Sequence, residues 1–118
     1  MKPVISVTKK GCGDEVNKVL SYAYEVSNKD DKFVKLLISE NGTVDIDRVG
    51  VTGDIGYCQV SPYWHPEITR DPRFLTDWKW QIEQCHKLYS EGTIFYGLKK
   101  YENNAKFRKQ VDSLLIFS

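Results

Sequence analysis

Glu40 is the residue of this chain whose surroundings most invite chemistry. It closes an apolar-periodic stretch, Phe33-Val34-Lys35-Leu36-Leu37-Ile38-Ser39-Glu40, and Asn41-Gly42 follows at once. Beyond these comes Gly53-Asp54-Ile55-Gly56-Tyr57-Cys58-Gln59-Val60-Ser61-Pro62. A carboxylic acid at the end of a buried helix, facing a glycine-rich turn, can be partly desolvated. Desolvation raises its pKa and keeps a proton available for a leaving oxygen, which is what sugar cleavage needs. An ordinary surface glutamate is disfavoured there, because the C-terminal end of a helix repels a carboxylate. Asp45, Asp47 and Asp54 are the acids that could supply a second carboxylate, and each also suits an ordinary turn position. The rings of Tyr63 and Trp64, in the loop Pro62-Tyr63-Trp64-His65-Pro66, stand where a cleft wall could be.

Glu40-Asn41-Gly42, followed by Gly53-x-x-Gly56-x-x-Gln59-Val60-x-Pro62, resembles the signature of the soluble-type lytic transglycosylases. These belong to the lysozyme-like superfamily that includes the goose-type lysozymes. Their pattern runs E-S-G, a short interval, then G-A-x-G-L-M-Q-I-x-P. This chain departs from it at Asn41, Asp54, Tyr57 and Cys58, which replace the usual Ser, Ala, Leu and Met. A third block, Leu98-Lys99-Lys100-Tyr101-Glu102-Asn103-Asn104, is similar to the family's A-x-Y-N-x-G, with Glu102 at the usual Asn. The resemblance runs from Val16 to Val111.

The resemblance implies a mainly helical α+β domain of lysozyme-like fold. It implies a single acid/base, Glu40, that protonates the bond between N-acetylmuramic acid and N-acetylglucosamine. The same group then takes a proton from the muramyl 6-hydroxyl, closing a 1,6-anhydro ring without water. It places Gln59 in the cleft as a sugar contact, where the plainer alternative is a side chain that ties the loop backbone. It places the Tyr101 hydroxyl near the catalytic acid, against the alternative of a core tyrosine. Tyr57, Gly56 and Trp64 complete the candidate substrate contacts. Peptidoglycan glycan strands are the implied partner. A hydrolytic lysozyme using Glu40 with Asp45, Asp47 or Asp54 stands beside this reading. Ser61, where goose-type lysozymes tend to carry Asp, favours the transglycosylase. A catalytically weak wall-binding or assembly module is the alternative of another class, kept open by the departures at Asp54 and Glu102.

The composition is compatible with this. The chain has 118 residues, the size of one domain with one core, and 41% are hydrophobic. The net charge of +1 gives no ground for a nucleic-acid partner. Lys99-Lys100 and Lys106, Arg108 and Lys109 read as solvated helix surface. Cys12, Cys58 and Cys85 lack C-x-x-C spacing, so neither a zinc nor a thioredoxin-like site is expected. Cys58 reads as a small buried thiol, and a Cys12–Cys85 bridge is left open. No metal or cofactor is expected, His65 and His86 form no ligand cluster, and Ser39, Ser61 and Ser90 lack triad partners. No apolar run approaches the roughly 18–20 residues of a membrane span, and Met1–Val7 is too short for a secretory h-region. The expectation is a monomer acting on the bacterial cell wall. Phage-encoded release as an endolysin, carriage in a virion, or trimming of a secreted protein would each account for the missing export signal.

These residues must be held by helices. The expected order is an extended arm over 1–12, a helix capped by Asp14 over Glu15–Ser27, a turn at Asn28–Asp30, and a helix over Asp31–Glu40 stopped by Asn41-Gly42. Alternation of Val44, Ile46, Val49 and Val51 suggests a hairpin or polar loop over Thr43–Thr52, the chain's β-like part. A glycine turn and short helix are expected over Gly53–Val60, then a proline loop. Thr76 or Asp77 should cap a helix to Ser90 whose buried stripe is Trp78, Ile82, Cys85, Leu88 and Tyr89, with His86 on its exposed side. Two further helices, Thr93–Tyr101 and Ala105–Leu115, complete the chain.

Overall fold

The computed structural model describes residues 3–5 and 13–117. Its first segment, β1 (Pro3–Ile5), pairs antiparallel with its last, β2 (Leu115–Phe117), with Val4 opposite Ile116. Between them come α1 (Gly13–Val26), α2 (Asp31–Glu40), α3 (Pro66–Thr69), α4 (Trp78–Ser90), α5 (Tyr96–Asn103) and α6 (Ala105–Leu114). The body is mainly helical and compact, with principal extents of 35 × 29 × 27 Å.

α2 is the central element. Phe33, Val34, Leu36, Leu37 and Ile38 are all buried, so this ten-residue helix is enclosed on most sides. It packs against α1 and α5, while α1 packs on α4. Leu20 and Ala23 of α1 and Ile82 and Cys85 of α4 join it in the core, all fully buried. The Asp30 carboxylate caps α2, accepting from Lys32 N–H (2.9 Å) and Phe33 N–H (3.4 Å). Asp77 caps α4 through Trp80 N–H (3.1 Å).

The stretch from Asn41 to Ser61 is irregular, with isolated bridges Val49–Ile55 and Ile55–Val60. Two buried amides hold it. Asn41 Nδ2 donates to Asp45 O (2.7 Å) and Gly56 O (3.0 Å). Gln81, fully buried on α4, accepts from Tyr57 N–H (2.7 Å) and donates to Phe74 O (2.6 Å) and Ile46 O (3.1 Å). A buried polar loop backbone must find partners inside the protein, and these side chains supply them. Gly56 has φ +89°, and a Cβ there would lie 2.2 Å from Gln81 Oε1, so the turn needs glycine.

Several elements differ from expectation. Thr43–Thr52 is the polar loop of its two readings and not a hairpin, and the paired strands among the described residues lie elsewhere, where Leu115–Phe117, rich in β-formers, leaves α6 to pair with β1. Gly53–Val60 folds as turns and bridges with no helix. α1 begins at Gly13, which puts Asp14 inside its first turn and not at its cap. Pro66 opens α3, since proline's missing N–H costs nothing at the first helical position. Thr93-Ile94-Phe95 stay outside the helix, Phe95 with an extended backbone, so α5 begins at Tyr96. Gln81 takes a place in the buried stripe of α4. His86 is half-buried, its ring edge-on to Phe33 at 5.1 Å. Cys58 is buried as expected, but not as a free thiol: it is bridged to Cys85 across a Cα separation of 6.0 Å. That pairing removes Cys85 as a partner for Cys12, which lies outside the described residues.

Candidate active site

Glu40 ends α2 and lines a cleft of about 510 Å³. Besides Glu40 and Leu88, residues from 52–65 and from 93–96 wall this cleft. Thr52, Asp54, Gln59, Val60 and Ser61 come from the pinned loop; Trp64 and His65 come from the turn before α3; Thr93 to Tyr96 come from the entry to α5. Trp64 is 74% exposed, Ile94 72% and Tyr96 81%, so apolar rings and an aliphatic side chain are presented to solvent at the cleft. Flat apolar sugar faces pack on such surfaces.

The Glu40 carboxylate meets the start of α5. Its Oε2 accepts from Gly97 N–H at 2.5 Å. Phe95, the N-cap of α5, provides no side-chain cap, so Glu40 fills that role from another helix. The close approach depends on glycine, because a Cβ on Gly97 would lie 2.7 Å from Glu40 Oε2 and 2.7 Å from Ser39 O. Burial pushes the Glu40 carboxyl above its ordinary value. The Gly97 and Leu98 N–H groups pull it back, and the negative charge of Asp54 raises it further. Burial is the largest of these effects, so the net direction is upward. An upward shift is the direction that favours the protonated carboxyl.

The structure gathers some of the candidate residues and separates others. Glu40, Asp54, Gln59 and Trp64 share the cleft. Gln59, at φ 56°, also ties the loop, donating from Nε2 to Gly56 O (2.9 Å) and Arg48 O (3.1 Å). Its amide nitrogen is thus tied to the loop backbone, as the plainer alternative has it, while the residue lines the cleft. Asp45, Asp47 and Tyr57 line a different cavity beside α1, not the Glu40 cleft. Asp45 accepts from the Thr43 hydroxyl (2.6 Å), held there by the Asn41 turn. Tyr57 is buried with its N–H fixed by Gln81, and desolvation pushes its hydroxyl up to about 12. Gly56 is buried, and its carbonyl is taken by Asn41 and Gln59. Tyr101, expected beside Glu40, instead donates to Asp112 (2.7 Å) on α6, with Lys35 Nζ 5.6 Å over its ring. One turn past Gly97 it lies on the same face of α5, but beside Lys35 of α2 and not beside Glu40, and its hydroxyl reaches across to α6.

Tyr96 occupies the cleft where Tyr101 was expected. A signal for it was present: a glycine just after an aromatic pair, Phe95-Tyr96-Gly97, marks close backbone approach at a helix start. Asn41 and Gln81 carried no such signal, since a buried amide looks in sequence like any polar residue.

No family model, curated protein or solved structure gives a significant match to this chain. Among the described residues, no helix is long and apolar enough to cross a membrane. No group of His, Cys, Asp or Glu among them is arranged to hold a metal ion.

Proposed function

We propose that this protein is a lysozyme-like lytic transglycosylase that cleaves peptidoglycan glycan strands, with Glu40 as its acid and base. The supporting observation is the half-buried Glu40 carboxyl, its pKa raised by desolvation, in a cleft walled by exposed Trp64, Ile94 and Tyr96. With Oε2 accepting the Gly97 N–H, the transferable proton belongs on Oε1. Protonated Glu40 gives that proton to the glycosidic oxygen as its bond to the muramyl C1 breaks. The resulting carboxylate takes the 6-hydroxyl proton as O6 bonds to C1. Glu40 ends the cycle protonated, and no water is consumed.

A hydrolytic reading has one specific support: Asp54 shares the cleft and its charge acts on Glu40. A base there could activate water. Asp45 and Asp47 line the other cavity, so this reading rests on Asp54. Mass analysis of muropeptides released from purified sacculi separates the two reactions. Anhydro ends support the transglycosylase, and reducing ends support hydrolysis. Absence of product from folded protein would leave a binding or assembly module.

A further inference from the structure

We propose that the cleft continues past His65 and Leu88 into a polar annex that receives the charged peptide branch of the glycan strand. This rests on the peptidoglycan reading above. The annex is a second cavity of about 520 Å³, and it shares His65 and Leu88 with the Glu40 cleft. The two cavities therefore meet at these two side chains, and their chemistry differs. The cleft presents Val60, Trp64, Ile94 and Tyr96, whereas the annex is lined mostly by charged and amide side chains.

Part of that charge is already engaged. Arg73 holds Asp71 through two hydrogen bonds of 3.0 and 2.9 Å and lies 4.4 Å over the Trp80 ring. His65 Nδ1 lies 3.5 Å from Glu67. What remains for a ligand is Lys87 and Glu91, at the C-terminal end of α4. Neither has an ion pair among the described residues. They are four positions apart in the order Lys then Glu, the less favourable orientation for a helical pair. One cation and one anion a helical turn apart suit a ligand that itself carries both a carboxylate and an ammonium group. The sugar rings alone offer no such pair; a short peptide branch does. The apolar cleft would then hold the strand near Glu40 while the annex reads the branch beside it.

The test is binding, measured apart from cleavage. Glu40→Gln protein is titrated with solubilised glycan strands bearing peptides and with the same strands stripped of peptide by an amidase. Peptide-bearing strands should bind about three- to tenfold more tightly, the scale of one or two exposed charge pairs. In the same background, Lys87→Glu should bring that ratio to about one or below. Equal affinities in the parent, or an unchanged ratio after Lys87→Glu, would overturn the annex. Wild-type protein that binds with this preference yet cleaves neither strand would overturn the enzymatic reading and leave the annex standing.

Discussion

Glu40 caps α5 and, in the proposed reaction, carries the proton, and the two roles can be told apart. Glu40→Gln keeps an oxygen for the Gly97 N–H but removes the ionisable proton. Lysis should fall by at least ~10²–10⁴-fold while the protein stays folded by circular dichroism. The pH dependence follows from the sign of the shift. The Glu40 pKa is raised in the folded state, so folding favours its protonated form. That contribution is complete below the ordinary carboxylate pKa and is lost as pH rises through the raised value. Denaturation curves should therefore show Glu40→Gln gaining stability relative to wild type as pH rises across that window. The cleavage rate should fall over the same window as the acid ionises. Gly97→Ala tests the contact from the other side. Its Cβ would meet Ser39 backbone, so α2 and α5 must part, costing about 1–3 kcal/mol. Thermal melts should show this loss, and the rate should drop with it. At this scale Glu40 was legible, because an acid ending an apolar helix conflicts with the helix dipole. Tyr96 was not identified: Tyr101 also fits a helical face, and spacing alone cannot decide which tyrosine meets the cleft.

Three ties fasten the loop that carries Asp54 and Gln59: the Asn41 amide, the Gln81 amide and the Cys58–Cys85 bridge. Gln81 and Cys85 are one turn apart on α4, so α4 grips Tyr57 and Cys58 at adjacent points. The bridge closes a sequence separation of 27 residues, for which unfolded-chain entropy gives about 3.5 kcal/mol. Cys58→Ser with Cys85→Ser should shift the urea midpoint down by a corresponding amount, and wild type under full reduction should match it. An unchanged midpoint would show that the packing, not the bridge, holds the loop. α2 and α4 were legible because local signals bound them, the Asn41-Gly42 stop for α2 and the Asp77 cap for α4, each with apolar periodicity inside. The β1–β2 pair was not, because three-residue strands at opposite ends of the chain leave no local pattern. The alternating valines left Thr43–Thr52 open between hairpin and polar loop, and it is the loop, because its order comes from the buried Asn41 and Gln81 amides and not from strand pairing.

For the molecule as a whole, α2 sits in the core and delivers its last residue to the one place where the loop, the α3 entry and the α5 entry converge. Burial of the helix and desolvation of the acid are thus one arrangement. The most direct test of the central claim is to digest purified sacculi and weigh the released muropeptides. Products with 1,6-anhydro ends, lighter by one water than hydrolytic ones, are expected, and they should disappear with Glu40→Gln. Reducing-end products, or an undiminished yield from that variant, would contradict it.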